Sequence, residues 1–175
     1  MKRYIKSAID NSLLISDFLT ILKDIYNEQF PHSLCDVWFT SSRYSTASVL
    51  IVCYLGKERS DWAHGIEDND VFTFRACIDF PNGPDNLTED DYVPDVCKLG
   101  FICKSIMTVP EEDWLWCGHH NLRLRSVTGT PEKIIETWTK YVNTLYTETV
   151  QLYLEDKLHK NSTEYYDVEE KLSLK

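Results

Sequence analysis

Five soft side chains fall between positions 97 and 120: Cys97, Cys103, Cys117, His119 and His120. Thiolates and imidazoles are zinc ligands, and structural zinc sites present cysteine pairs two to four residues apart so that one turn delivers both to a single ion. The five residues between Cys97 and Cys103 exceed that spacing, and Cys117-Gly118-His119 stands alone. The pattern therefore favours buried thiols and a polar loop over a metal centre. Cys117 beside His119 and His120 also has the composition of a nucleophile and its base. Neighbours in sequence, however, seldom reach the required hydrogen-bond geometry. A third group, His64-Gly65-Ile66-Glu67-Asp68-Asn69-Asp70, gathers hard oxygen ligands without the Ca²⁺-loop pattern. Neither Pro84-Asp85 nor Pro94-Asp95 is followed by the acid-x-Lys triplet of a restriction-type nuclease, so the group reads as a solvated turn. Glycine-rich phosphate loops, GxSxG, HExxH and kinase motifs do not occur. Arg123 and Arg125 could grip a carboxylate or phosphate, but pairing with nearby acids is the simpler expectation.

Charge supplies a stronger pattern than any motif. The chain has 28 acids and 18 Lys plus Arg, a net of −10. Thirteen of those acids and three of those bases lie between Asp61 and Asp113, so this third of the chain carries the entire excess while the rest balances, fifteen against fifteen. The densest parts are Asp85, Glu89, Asp90, Asp91 and Asp95, then Glu111, Glu112 and Asp113. Interleaved with them are Tyr92, Trp114 and Trp116, residue types enriched in the energetic centres of protein interfaces. A fixed array of carboxylates resembles phosphates in charge and acceptor character, and so suits a basic groove built for nucleic acid. The competing reading is an acidic surface that serves solubility alone.

The bulk numbers narrow the setting. At 175 residues, with 43% hydrophobic and 26% charged side chains, the chain suits one globular domain. A net −10 repels phosphate, so direct nucleic-acid binding is not expected. No stretch approaches the ~20 apolar residues of a membrane span, and Met1–Lys6 lacks the apolar core of a signal peptide. A cytoplasmic setting follows as the expectation. The six cysteines then read as reduced thiols, and no cofactor or metal is expected.

The elements that must position these residues come from periodicity. Ile15, Phe18, Leu19, Leu22, Ile25 and Tyr26 recur at helical spacing and predict a helix over 11–29, capped by Asp10, Asn11 or Ser12 and closed before Pro31. Strands are expected at 34–41, 47–55, 72–80, 98–107 and 121–127, with a weak edge strand at 2–9. The run Val49–Leu55 is apolar on both faces and belongs inside a sheet, whereas Phe72–Phe80 alternates cleanly. Residues 82–96 form an acidic loop in which Thr88 and Asp91 have capping spacing, and Pro110–Trp116 suits a short helix. Thr130-Pro131-Glu132 opens a long helix over 131–158, about 40 Å at 1.5 Å per residue, with a stripe of Ile134, Trp138, Tyr141, Leu145, Thr149, Leu152 and Tyr153. Residues 159–175 are polar and expected to fray.

Together these predict a single α+β domain over 1–158. A mostly antiparallel sheet of about five strands is flanked by the two helices. The function expected is non-enzymatic binding. Asp85, Glu89, Asp90, Asp91, Asp95, Glu111, Glu112 and Asp113 would steer a basic, nucleic-acid-handling protein, and Tyr92, Trp114 and Trp116 would supply contact area. In size and composition, though in no motif, the chain resembles small acidic inhibitors carried by phages and other mobile elements, anti-CRISPR proteins among them. It equally resembles immunity proteins that neutralise nuclease toxins. The alternatives are a metal-dependent hydrolase or nucleotide-processing enzyme using the His64–Asp70 or Cys97–His120 cluster, and an oligomer-forming protein using the aromatic helix. Composition leaves the oligomeric state open.

Overall fold

Alternation of side chains across the sheet decides which residues meet the helices. The structure, a computed structural model, describes residues 13–32, 34–42, 45–54, 72–104, 126–158, 160 and 163–174. Strands β1 (Leu34–Ser42), β2 (Ser45–Tyr54), β3 (Phe72–Asp79), β4 (Cys97–Lys104) and β5 (Val127–Gly129) lie side by side in chain order, each antiparallel to the next. One row of partners crosses the sheet as Phe39, Val49, Ile78, Leu99 and Val127, and a second runs Val37, Ile51 and Ala76. Val49, Ile51, Ala76, Ile78, Cys97 and Leu99 on this face are buried. The other face receives Asp36, Trp38, Cys77, Asp79 and Lys98, as a period of two requires.

Helices α1 (Ile15–Gln29), α2 (Pro131–Leu154) and α3 (Thr163–Ser173) complete the described elements. Ile15, Phe18, Ile21, Leu22 and Tyr26 of α1 share one core with Ile134, Ile135, Trp138, Val142 and Leu145 of α2 and the buried sheet face. Both helices therefore cover the same face, giving a mixed α+β domain. Trp138 is fully buried, and its indole Nε1–H donates to the Leu22 carbonyl at 2.8 Å, satisfying the one polar group that burial would strand. Leu22 pairs with Trp138, and Gln29 bonds Asn143 at 3.2 Å, so α1 and α2 run in the same direction.

Three expectations change. Helix α1 starts at Ile15, and Leu14 is its cap residue with no side-chain bond; the proposed caps 10–12 lie outside the described residues. Helix α2 ends at Leu154 instead of running to 158. Asp156 adopts φ 53°, Lys157 N–H donates to Leu152 O and Asp156 N–H to Tyr153 O, which is a Schellman stop. The tail expected to fray instead forms α3, held by a buried Val168 and a buried Asp167. The edge strand at 2–9, the short helix at 110–116 and the strand at 121–127 up to residue 125 fall outside the described residues.

The remaining boundaries follow the sequence closely. Phe30 N–H returns to Tyr26 O just before Pro31 closes α1, and Thr130 Oγ1 accepts from Lys133 N–H with Pro131 in the first turn of α2.

Candidate acidic interface

The connection from β3 to β4, residues 80–96, carries five of the segment's acids and is built into the core at both ends. Phe80-Pro81-Asn82-Gly83 makes a reverse turn, Gly83 N–H donating to Phe80 O at 3.0 Å. A Cβ at Gly83 would stand 2.8 Å from Leu87 Cδ1, so the missing side chain is what lets Leu87 fold back over the turn. Leu87 and Val93 are buried in the same cluster as the helices. These two apolar anchors bracket Glu89, Asp90 and Asp91, with Asp85 and Asp95 just outside them.

A second set of bonds fixes the loop to α1. Ile15 N–H donates to Asp91 O at 2.9 Å and Ser16 N–H to Glu89 O at 3.0 Å, while Val93 N–H donates to Leu13 O at 2.8 Å. Leu14 and Tyr92 form an antiparallel bridge. The first free N–H groups of a helix need acceptors, and here the backbone of the acidic loop supplies them in place of a capping side chain. The loop is thus the cap of α1.

Within it, the Thr88 and Asp91 spacing does what its sequence suggests, in a turn and not a helix. The Asp91 carboxylate accepts from Thr88 N–H at 2.7 Å and Thr88 Oγ1 at 2.8 Å, and Asp91 N–H returns to Thr88 O at 3.2 Å. The backbone and hydroxyl donors of Thr88 hold the Asp91 carboxyl below its ordinary 3.8. Asp91 is therefore spent on holding the loop. Asp85, Glu89, Asp90 and Asp95 are exposed, and no described residue engages their carboxylates by hydrogen bond or ion pair. Tyr92 stands among them with 62% of its surface exposed.

Two more acids arrive from elements that sequence reading did not associate with this face. Asp17 sits exposed in the first turn of α1, two residues beyond the bond from Ile15 to the loop. Glu132 sits in the first turn of α2, which follows β5, and Gly129 of β5 pairs with Cys97 where the loop re-enters the sheet. Both helices thus begin at the acidic end, and the positive ends of their dipoles favour the carboxylates there. An acid in a first helical turn is so common that only the parallel arrangement of α1 and α2 reveals this convergence.

Cys97 packs as a protonated core thiol. It is buried, its thiol donates to Pro94 O at 3.3 Å, and burial, with Glu132 and Asp95 nearby, pushes it up to about 12. A thiolate nucleophile needs the opposite shift. Glu111, Glu112, Asp113, Trp114 and Trp116 lie outside the described residues, as do His64–Asp70, Cys117, His119, His120, Arg123 and Arg125. Of the expected face, the structure brings together Asp85, Glu89, Asp90, Asp91, Tyr92 and Asp95 on one loop. Among the described residues no group of three or more His, Cys, Asp or Glu side chains could hold a metal ion, and no helix is long and apolar enough to cross a membrane. No protein-family model, curated protein or solved structure matches the chain.

Proposed function

We propose that this protein binds and blocks a basic, nucleic-acid-handling protein by docking the 80–96 loop into its cationic groove. The observation that supports the reading is the combination of four exposed carboxylates that no described residue engages, Asp85, Glu89, Asp90 and Asp95, with a loop backbone bonded to α1 and anchored by Leu87 and Val93. A charged array on a fixed frame loses little entropy on docking, and exposed carboxylates hold their field for the partner instead of for their own lysines. Tyr92 supplies an aromatic contact at the centre of the charge. Glu111, Glu112, Asp113, Trp114 and Trp116 extend the same face in this reading. The protein works in the cytoplasm, as an anti-CRISPR-type inhibitor carried by a phage or mobile element, or an immunity protein against a nuclease toxin, would.

The test is capture from cell lysate at low salt with the tagged chain, using double-stranded DNA as competitor. Basic nucleic-acid-binding proteins should be retained, released by DNA, and lost when Asp85→Asn, Glu89→Gln, Asp90→Asn and Asp95→Asn are combined. Retention of the same proteins by the neutral variant would refute the proposal.

A further inference from the structure

At the end of the molecule away from the acidic loop, α3 is joined to the end of α1 through a compact set of polar contacts. His32 follows Pro31 just beyond α1. Its backbone N–H donates to Asp167 Oδ1 at 2.8 Å, and its ring Nε2 meets Glu170 Oε2 at 2.8 Å. Lys171 Nζ donates to the carbonyls of Glu28, at 3.0 Å, and of Gln29, and lies 4.6 Å from the centre of the Tyr146 ring. A cation on the last carbonyls of α1 complements the negative end of its dipole. His32, Tyr166, Glu169, Glu170 and Ser173 line a shallow open cleft of about 610 Å³ along this joint.

Apolar burial alone does not explain the attachment of α3. Val168 is its fully buried apolar residue, while Tyr166 and Leu174 are exposed. Polar contacts of this kind respond to protonation. The groups that face the joint are Asp167, Glu169, Glu170, Lys171 and Tyr166 from α3, Glu28 from α1 and Tyr146 from α2. Among these residue types, histidine is the one whose ordinary titration falls between pH 5 and 8.

We propose that α3 is a pH-responsive strap: protonated His32 clamps it to the end of α1 through the contact of its ring with Glu170, and loss of that proton loosens it while the backbone bond to Asp167 stays. The direction follows from the contacts. The Glu170 hydrogen bond is the largest influence; burial opposes it, and the charges of Asp167 and then Glu170 add to it, so the imidazolium is held above its ordinary 6.5. A group raised on folding contributes fully below its unfolded value, and that contribution fades as pH rises through the folded value. The strap is therefore tighter below pH 6.5 and looser in mild alkali.

Amide hydrogen exchange on the whole chain reads this directly. Protection of the α3 amides, corrected for the intrinsic rate at each pH, should fall by a factor of about two to five between about pH 5.5 and 8.5, the range that exposed ion pairs contribute. Amides in the middle of α1 and α2 should not respond, which also shows that the domain stays folded. In His32→Gln the pH response of α3 should vanish, and in Glu170→Gln the His32 midpoint followed by NMR should drop. Equal α3 protection at both pH values overturns the proposal. So does a response that survives in His32→Gln, which would place the titrating group elsewhere.

Discussion

Leu87→Ala tests whether the acidic loop is a built surface or a loose one. Leu87 is 5% exposed and lies over the Phe80–Gly83 turn, with its Cδ1 at 2.8 Å from where a Gly83 Cβ would sit. Truncation removes three carbons, and at ~0.8 kcal/mol per buried CH₂ the transfer loss is about 2.4 kcal/mol. Any residual cavity adds to this, so a cost of about 2.5–3.5 kcal/mol is expected. For a domain of this size that lowers Tm by roughly 5–14 °C. Urea unfolding should show a lower midpoint with an unchanged slope. The local consequence is more specific. The N–H groups of Ile15 and Ser16, which donate to Asp91 O and Glu89 O, should lose exchange protection before the rest of α1. A cost below about 1 kcal/mol, within the range of ordinary surface substitutions, with Ile15 and Ser16 still protected, would refute the anchoring argument.

Other outcomes follow from single contacts. Trp138→Phe removes the donor to Leu22 O and leaves unfilled volume, and should cost about 2–3 kcal/mol by denaturant unfolding. Asp156→Gly relieves a side chain held at φ 53° and should stabilise the domain by up to about 1 kcal/mol, measured as a rise in urea midpoint. The Asp91 carboxyl is lowered on folding, so its tie to Thr88 is present above pH 3.8 and lost as pH falls through the folded value. Exchange protection of Thr88 N–H should therefore disappear in acid while the β-sheet amides persist. Asp91→Asn should remove that acid sensitivity.

What the sequence makes legible is what is local. Thr130-Pro131 caps α2 because a hydroxyl and a fixed φ act within one turn, and alternation puts Ala76, Ile78 and Phe80 on the buried face because strand period is intrinsic. Phe30-Pro31 closes α1 for the same reason. The start of α1 was not legible, since the carbonyls that complete it belong to Glu89 and Asp91, far along the chain. Helix α3 was hidden likewise. Its stripe is weak, and its docking uses Asp167 and Lys171 against backbone groups of residues 28–32, which no periodicity records. For the acidic face, charge counting located the loop. It did not separate Asp91, which holds the loop, from Asp85, Glu89, Asp90 and Asp95, which face outward, nor did it bring in Asp17 and Glu132.

The most direct measurement is the association rate of a captured basic partner, followed across ionic strength with the native chain and with the variant lacking the Asp85, Glu89, Asp90 and Asp95 charges. Steering by an exposed carboxylate array predicts a native rate that falls steeply with salt, and a variant about 10-fold or more slower at low salt with a nearly flat dependence. Equal rates and equal salt slopes for the two proteins would contradict the account, and the acids would then serve solubility alone.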